Sequence, residues 1–243
     1  MKLIVLGSSS KGNCYILLSE AMDEAVILEA GCKPLEVKKA FQWHIPTTVA
    51  CFITHEHGDH AKYAKDINAA GIMVAGSKHV LETCKIDRRC MVTETGKAYR
   101  VGQFLVQPFD VSHDVPCQGF IIRHPEMGKM AFITDTYYCS YRFSGITTYL
   151  IEANYSDGIL DENVSKGKVP PALRDRLMTS HMEIGSTVDF LRTSDLSVTQ
   201  QIILIHLSNG NSDRRDFIDR VRTATGLPTE AAAAGDIYNI TKL

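Results

Sequence analysis

The chain has 243 residues, of which 44% are hydrophobic and 22% charged, and its formal net charge at pH 7 is −2. A chain of this length can bury the core of one α/β domain, and no apolar run approaches the ~20 residues of a transmembrane helix, so we expect a single soluble domain over residues 1–243 with no membrane partner. The balanced charge excludes a protein that binds nucleic acid through a generally basic surface, so any site for a polyanion is expected to be local.

Short apolar runs with the composition of strands dominate the first part of the chain. We predict strands at residues 2–6, 14–18 and 25–28, paired in antiparallel order across polar connections. Pro34 opens a helix that continues through Phe41, and a buried strand follows at residues 49–53. Over residues 59–70 the apolar spacing becomes helical, with Asp59 as a candidate N-cap.

The second part of the chain has a similar organisation. Strands are predicted at residues 104–111, 119–123, 130–134, 148–152 and 201–205, and helices at residues 170–177, 183–191 and 213–224. No linker, low-complexity tract or internal repeat separates the two parts. Two strand-rich halves with outer helices predict an α/β fold of four layers, an αββα sandwich.

The cysteines favour a reducing compartment. There are seven of them, which is an odd number, and they are scattered without CxxC pairs, as expected of reduced thiols rather than of a disulfide framework. The first apolar run is shorter than the ~7 residues that the core of a signal peptide requires. We therefore predict a cytoplasmic protein.

Residues 54–60 form a cluster of candidate metal ligands, Thr-His-Glu-His-Gly-Asp-His, directly after a predicted strand. On extended backbone His55 and His57 point the same way, so both can reach one ion. Asp59 and His60 follow in a short loop and offer ligands for a second ion or for a bound water. A loop of polar capping residues is the alternative, but four candidate ligands in six positions favour a metal site.

At this run the sequence resembles the metallo-β-lactamase superfamily, whose signature is His-x-His-x-Asp-His. The family's remaining ligands match His113, Asp135 and His206 in order, and each follows an apolar run. Taken alone, each of these residues has an ordinary interpretation as a polar residue at a strand end or a turn. Together they extend the resemblance over the chain, and the resemblance implies the αββα fold of that family.

The resemblance also implies a centre with two divalent metal ions. One ion would be held by His55, His57 and His113 and the other by Asp59, His60 and His206, with Asp135 between them. Imidazole and carboxylate ligands suit Zn²⁺, which is the first expectation, and they also allow Mn²⁺ or iron. Such a pair of ions supports hydrolysis by a bridging hydroxide. The other histidines have no such context and are expected to lie on the surface or in packing positions: His44, His79 and His124.

Residues 7–14, Gly-Ser-Ser-Ser-Lys-Gly-Asn-Cys, resemble the opening of the YycJ-like (WalJ-like) hydrolases, single-domain bacterial members of the superfamily regarded as DNA exonucleases. Further matches to that group are His113-Asp114, Glu152-Ala153-Asn154 and the run at residues 206–212. The sequence departs from the usual pattern at Glu29, where the family has Asp, and at Ser212, where the group has Asn. Around residues 179–183 only His181 of the usual pattern is present.

His181 resembles the histidine that RNase Z and related phosphodiesterases use for proton transfer or phosphate contact without binding metal. A polar residue at the N-terminus of a helix is the alternative interpretation. We predict Asp59 and His181 as catalytic residues, with Asp59 also serving as a ligand.

The expected function is therefore metal-dependent hydrolysis of phosphodiesters, with DNA or RNA as the partner and substrate of an exonuclease-like reaction. A thioester or lactam hydrolase similar to glyoxalase II and an enzyme for small phosphodiesters are alternatives that use the same ligands. A flavodiiron-like module or a scaffold without activity fits less well. No oligomeric state is predicted. Six basic residues are candidates for phosphate contacts, although each is more often a surface charge: Lys62, Lys65, Arg88, Arg89, Arg214 and Arg215.

Overall fold

The computed structural model describes residues 1–241, so positions 242 and 243 of the predicted domain lie outside the described residues. The first part of the chain contains β1 (Lys2–Gly7), β2 (Cys14–Leu18), β3 (Glu24–Leu28), α1 (Pro34–Ala40), β4 (Thr48–Phe52), α2 (Gly58–Ala61), α3 (Ala64–Ala69), β5 (Met73–Gly76), α4 (Lys78–Thr83) and β6 (Cys90–Val92). The second part contains β7 (Tyr99–Val101), β8 (Phe104–Val111), β9 (Cys117–His124), β10 (Gly128–Ile133), β11 (Thr148–Glu152), α5 (Asp157–Ser165), α6 (Pro171–Ser180), α7 (Ile184–Arg192), β12 (Gln201–Ile205), α8 (Arg214–Thr225), β13 (Thr229–Ala231) and β14 (Ile237–Asn239).

These strands form two seven-stranded sheets. The order is β14-β1-β2-β3-β4-β5-β6 in the first sheet and β13-β12-β11-β10-β9-β8-β7 in the second. Strand β14 returns to pair antiparallel with β1, whereas β13 extends the second sheet beside β12. The end of the described chain therefore contributes one edge strand to each sheet.

Three hydrophobic clusters separate the layers. The cluster between the sheets includes Phe52 of β4 and Phe120 of β9, whose ring centroids lie 5.6 Å apart. A second cluster packs Val37 of α1 and Ile67 of α3 against the first sheet, and a third packs Phe217 of α8 against the second sheet. Each sheet is thus covered on both faces, which explains why β2, β3 and β11 are buried at every position and have nearly continuous apolar runs. The layer order is helix, sheet, sheet, helix, as the sequence predicts.

Strands that precede candidate ligands end at one rim of the sandwich. Strands β10, β11 and β12 are parallel neighbours, so their carboxyl ends share one edge of the second sheet. Strand β8 runs in the same direction, because β8 and β10 are both antiparallel to β9. Strand β4 of the first sheet ends at the same rim, since the ring centroids of His55 and His113 lie 4.7 Å apart.

Most predicted strands are confirmed, including β2, β8, β11 and β12 at the predicted bounds and the antiparallel pairing of β1, β2 and β3. Helices α7 and α8 each begin one residue later than predicted. Their first predicted residues, Glu183 and Asp213, are instead N-caps whose carboxylates accept hydrogen bonds from backbone N–H groups of the first turn. The elements absent from the prediction are β5, β6, β7, β13, β14, α4 and α5. The strands among them have only three or four residues, too few for an alternation to be recognised.

The predicted continuous helix over residues 59–70 is wrong. Helix α2 ends at Ala61 and α3 begins at Ala64. Between them the N–H of Tyr63 donates to the carbonyl of Ala30 at 2.9 Å, so this N–H is taken out of the helical hydrogen-bond pattern by a neighbouring loop. The break is therefore a tertiary effect.

Asp59 is not the N-cap that the sequence suggested. Helix α2 begins at Gly58 with His57 in the N-cap position, and Asp59 lies in the first turn. Its Oδ2 lies 3.2 Å from Nε2 of His60 and 3.3 Å from Nε2 of His206. The carboxylate is thus turned toward the other candidate ligands and not toward the helix backbone.

None of the helices within residues 1–241 is long and apolar enough to cross a bilayer. No disulfide joins the seven cysteines, all of which lie in the described part of the chain.

Glu24 and His124 form a buried contact between the two sheets. It lies at the end of the sandwich opposite the rim that carries the candidate ligands. The side chains are 7% and 1% exposed, and Oε1 of Glu24 lies 3.1 Å from Nε2 of His124. Glu24 also accepts hydrogen bonds from the backbone N–H and the side-chain amide of Gln103. Burial alone would raise the pKa of Glu24, but these hydrogen bonds outweigh it and lower the pKa below its ordinary value.

The substitution Glu24→Gln is expected to lower the free energy of unfolding at pH 7 by about 1–2 kcal/mol, because neutral hydrogen bonds replace charge-assisted ones. Since the folded-state pKa of Glu24 is lowered, its contribution is present above the ordinary glutamate pKa of ~4.3 and is lost as the pH falls below it. Urea denaturation at pH 7 and pH 4 measures the effect. The difference in free energy of unfolding between wild type and Glu24→Gln should be smaller at pH 4 than at pH 7. The exposed control Glu82→Gln should stay near wild type at both pH values. A difference that is larger at pH 4 would contradict the assignment.

Candidate metal centre

The structure brings all seven candidate ligands and His181 together at the rim. Four groups of residues have their potential ligand atoms close together. In each group every residue contributes one such atom, and these atoms all lie within 4.8 Å of one another. The groups are His55 with His57 and His113; Asp59 with His60 and His206; His55 with His60 and Asp135; and Asp135 with Glu152, His181 and His206. Two of these groups have the same members as the two ligand sets that the family resemblance implies, and Asp135 joins residues of both sets.

The ligand loop at residues 54–60 is held by close backbone packing. The carbonyl of Asp59 accepts a hydrogen bond from the N–H of Asn13 at 2.7 Å, and that of His60 accepts one from Ala30 at 2.6 Å. Gly31 lies so near that a Cβ at its position would be 1.8 Å from the Asp59 carbonyl oxygen. Glycine is therefore required at this position for the loop after β3 to support the ligand loop.

In the first group, each histidine has one ring nitrogen engaged by an outer partner. Nδ1 of His113 lies 2.8 Å from the carbonyl of Ser180, which can only accept, so Nδ1 carries the proton and Nε2 has the free lone pair. Nδ1 of His55 contacts the hydroxyl of Thr54 at 2.8 Å. Nε2 of His57 lies 3.4 Å from Asp114, while its Nδ1 is 3.3 Å from Nε2 of His113. The nitrogens that remain face one another.

In the second group, buried carboxylates contact the histidines. Oε1 of Glu29 lies 3.3 Å from Nδ1 of His60, and both side chains are fully buried. Oε1 of Glu152 lies 3.0 Å from Nδ1 of His206. The hydrogen bond to Glu152 fixes the proton of His206 on Nδ1 and leaves Nε2 as the potential ligand. Glu29, at the position where the family usually has the shorter Asp, is in ion-pair contact with Nδ1 of His60 but without hydrogen-bond geometry.

Three residues of this rim have left-handed backbone conformations although none is glycine. Glu29, Asp135 and His206 follow β3, β10 and β12 with φ of 71°, 49° and 56°. Each such conformation costs ~1–3 kcal/mol and persists only where the surrounding structure enforces it. Their concentration at this rim places strained backbone at the ligand cluster.

The donor set fits divalent metal ions. Nε2 of His55 and Nε2 of His206 are buried and make no hydrogen bond within the described residues. A buried polar atom without a partner costs about 1–3 kcal/mol, and metal coordination removes that cost. Imidazole nitrogens and carboxylate oxygens are ligands of zinc, manganese and iron, so the cluster is chemically suited to hold such ions.

The electrostatics of the cluster also favour cations. Burial would raise the pKa of Asp135, but the adjacent His206 and His60 outweigh it and lower this pKa well below its ordinary value. Burial would lower the pKa of His206, but Asp135, Asp59 and Glu152 raise it to about 10. The buried carboxylates therefore attract positive charge to the cluster, supplied by protons when metal is absent.

Glu152 belongs to the candidate site, although the sequence analysis did not place it there. Its Oε1 lies 3.0 Å from Nδ1 of His206 and 2.7 Å from Nδ1 of His181, and its Oε2 accepts a hydrogen bond from the backbone N–H of Thr136. One fully buried carboxylate thus orients a candidate ligand and the candidate proton-transfer residue together. The Glu-x-Asn match at this position was the available signal, but it did not reveal these partners.

His181 lies at the end of α6 and not at the start of a helix, so the alternative interpretation is wrong. It is the C-cap of α6, and its side chain is 15% exposed. With Nδ1 bonded to Glu152, its Nε2 is the ring nitrogen available to a substrate. The ring centroid is 5.2 Å from that of His206.

The opening loop at residues 7–14 supports the centre directly. The amide of Asn13 lies 3.3 Å from Oδ2 of Asp59 and 3.1 Å from Nε2 of His60. The hydroxyl of Ser8 accepts a hydrogen bond from the N–H of His206 at 3.0 Å. The sequence identified this loop by resemblance, and the structure shows which of its side chains contact the candidate ligands.

A cavity of about 320 Å³ opens above the cluster. Its lining includes the uncharged polar residues Ser10, Asn154 and Asn211, and α6 contributes Leu173 and Arg176. Oδ1 of Asn154 is buried and makes no hydrogen bond to the described residues. None of the six basic residues that the sequence suggested for phosphate contacts lines this cavity, whereas Arg176 does.

Glu29→Gln is expected to weaken zinc binding by about 10- to 100-fold, because the substitution removes the buried negative charge 3.3 Å from Nδ1 of His60, which makes this ring a better ligand. Competition with a chromophoric chelator measures the affinity, and Glu36→Gln on the exposed face of α1 is the matched control. Equal affinities for the two variants would show that Glu29 does not support the centre.

Comparisons with known proteins extend over nearly the whole chain. No family model matches the sequence. The protein named Exodeoxyribonuclease YycJ from Bacillus anthracis is 24% identical over 253 aligned positions, which cover 97% of this chain and 92% of the relative. The protein named Exodeoxyribonuclease WalJ from Streptococcus pneumoniae serotype 2 is 27% identical over 229 positions, covering 87% of this chain and 83% of the relative.

Solved structures show the same architecture. The metallo-β-lactamase fold protein YhfI from Bacillus subtilis has a TM-score of 0.74 at 15% identity, covering 98% of this chain and 99% of YhfI. The short form of human tRNase Z has a TM-score of 0.63 at 16% identity, covering 99% of both chains. The expected metallo-β-lactamase fold is confirmed.

Proposed function

We propose that this chain, which has the metallo-β-lactamase fold, is a metal-dependent phosphodiesterase that degrades nucleic acid as an exonuclease. The observation that carries this proposal is the position of His181, which is bonded to Glu152 and lines the cavity beside the candidate ligands. The names of the two sequence relatives, which align over most of this chain, support the same reaction.

The proposed centre holds two divalent ions, with Zn²⁺ as the first expectation. One ion is assigned to His55, His57 and His113, the other to Asp59, His60 and His206, with Asp135 shared. The grouping of Asp135 with His55 and His60, and also with His206, supports a shared role. Divalent ions, when bound, supply Lewis acidity that activates water and withdraws charge from a phosphoryl group.

The protein's own residues orient the reactants and move the proton. We assign to His181 the role of holding a proton on Nε2 and donating it to the oxygen of the departing strand. Glu152 fixes the orientation and tautomer of that ring. Asp59 has a pKa lowered below its ordinary value by the adjacent His206 and His60, against the effect of its burial, so its carboxylate is ionised and suited to orient a water.

The organisation of the chain agrees with an enzyme of one domain. The hydrophobic cluster between the sheets contains residues from both halves of the sequence, for example Phe52 and Phe132, which supports the proposal of a single domain over residues 1–243. The proposed partner is the nucleic acid substrate, and the proposed location is the cytoplasm, which the absence of disulfides among the seven cysteines would suit.

His181→Ala is expected to keep the wild-type metal content and to lower kcat by about 10²–10⁴-fold on an oligonucleotide, because no group then protonates the leaving oxygen. The loss should be smaller for bis-p-nitrophenyl phosphate, whose leaving group needs little protonation. Metal analysis and steady-state kinetics give both quantities, with His79→Ala, an exposed histidine paired with Glu56, as the control. Equal losses on both substrates would contradict a role in protonation.

The reaction class is tested with purified, metal-analysed protein. We expect cleavage of labelled single- or double-stranded DNA or RNA and of bis-p-nitrophenyl phosphate, with no turnover of a thioester or a β-lactam. Asp59→Ala should abolish all activity, since it removes both a ligand and the carboxylate proposed to orient water. Cleavage of only the thioester or lactam would overturn the phosphodiesterase proposal, and cleavage of only the small diester would replace nucleic acid by a small-molecule substrate.

A further inference from the structure

Helix α6 forms a wall of the cavity but is only lightly packed on the rest of the protein. Of its ten residues only Ser180, in the last turn, is buried. Leu173 and Met178 are 42% and 40% exposed, so these apolar side chains bury little surface against the rest of the protein. The position of α6 over the ligand cluster, and not the burial of an apolar face, is therefore its main structural feature.

Arg176 is the only lysine or arginine among the residues that line this cavity in the described chain. Its side chain is 61% exposed, and its Nη2 contacts Oδ2 of Asp114 at 3.4 Å. That distance is long for a charge-assisted hydrogen bond, and exposed ion pairs of this kind contribute little to stability. Arg176 is thus a cation held loosely at the mouth of a site otherwise formed by acidic, imidazole, polar and apolar side chains.

The other face of Asp114 contacts the cluster. Its Oδ1 lies 3.1 Å from Nε2 of His113 and 3.4 Å from Nε2 of His57. Asp114 therefore lies between Arg176 and these two candidate ligands, so Arg176 is further from His57 and His113 than that carboxylate is. A nucleic acid strand has a phosphate on every nucleotide, so a strand whose scissile phosphate lies at the cluster must place the next phosphate further along the cavity.

Arg174, two residues earlier on the same helix, shows what a structural arginine is like here. Its Nε donates to Asp161 of α5 at 2.7 Å, and its side chain is 31% exposed. The Arg174–Asp161 pair connects α6 to α5 by a short hydrogen bond, whereas the contact of Arg176 with Asp114 is long and holds α6 only weakly. The two residues provide a matched comparison of the same side chain on one helix.

We propose that Arg176 is a substrate-binding residue that takes the phosphate next to the scissile one, exchanging Asp114 for phosphate oxygens when a strand enters the cavity. This inference rests on the proposed nuclease function. The planar guanidinium suits the task, because it can bond two phosphate oxygens at once and remains charged at any physiological pH.

Kinetics of Arg176→Ala, Arg176→Lys and Arg174→Ala test the proposal, with a labelled oligonucleotide and with bis-p-nitrophenyl phosphate, which has no neighbouring phosphate. Arg176→Ala is expected to raise KM for the oligonucleotide about tenfold, with kcat, metal content and kinetics on the small diester near wild type. The slope of log(kcat/KM) against log salt should fall by about one in Arg176→Ala. Arg176→Lys should keep that slope, and Arg174→Ala, which removes the contact of α6 with α5 but no charge from the cavity, should leave the slope unchanged and raise KM less than Arg176→Ala does.

Two results would overturn the assignment. Equal increases of KM in Arg176→Ala and Arg174→Ala would mean that both act through the position of α6. Equal losses on the oligonucleotide and on the small diester would place Arg176 at the reacting phosphate or in the fold. If wild type cleaves the small diester but no nucleic acid, the nuclease proposal itself fails, and this outcome is recognised before any variant is compared.

Discussion

The buried carboxylate of Glu152 is the contact on which the candidate site depends. It lies at the end of β11, an inner strand of the second sheet, and a single oxygen faces Nδ1 of both His206 and His181. Burial alone would raise the pKa of Glu152, but the two imidazoles outweigh this effect and lower it, so the carboxylate is charged and fixes both rings. The candidate ligand His206 and the proposed proton-transfer residue His181 are thereby held by one carboxylate.

The same principle holds around the whole rim. The hydroxyl of Thr54 contacts His55 and the carbonyl of Ser180 orients His113, so each of these rings also has one nitrogen engaged by an outer partner and one directed inward. These partners come from strand ends and tight loops over a closely packed core, which can enforce strained conformations such as those of Glu29 and Asp135. Rigid support is what keeps ligand atoms close together in spite of the repulsion between like groups.

The cavity is lined on one part by the closely packed candidate ligands, called here its floor, and on another by the lightly packed helix α6, called its wall. Helix α6 delivers His181 and the Ser180 carbonyl from its C-terminal end, where it is buried, and presents Arg176 from its exposed middle. A ligand of variable sequence, such as a nucleic acid strand, requires fixed chemistry at one phosphate and adaptable contact with the next. The division between floor and wall is consistent with such a substrate.

The sequence by itself determined the αββα layers, most strands and the identity of the candidate ligands. The apolar runs of these strands are long enough to be recognised. The His-x-His-x-Asp-His ligands lie within six consecutive residues, so the sequence shows them together. Only the tertiary structure decided the rest. The short strands β13 and β14 exist because they pair with β12 and β1, and the break at Tyr63 exists because Ala30 takes its N–H. The shared role of Glu152, and the different environments of Arg174 and Arg176, depend on distances between residues far apart in the chain or in different elements. A sequence pattern records which groups are available, but which of them meet is fixed by packing.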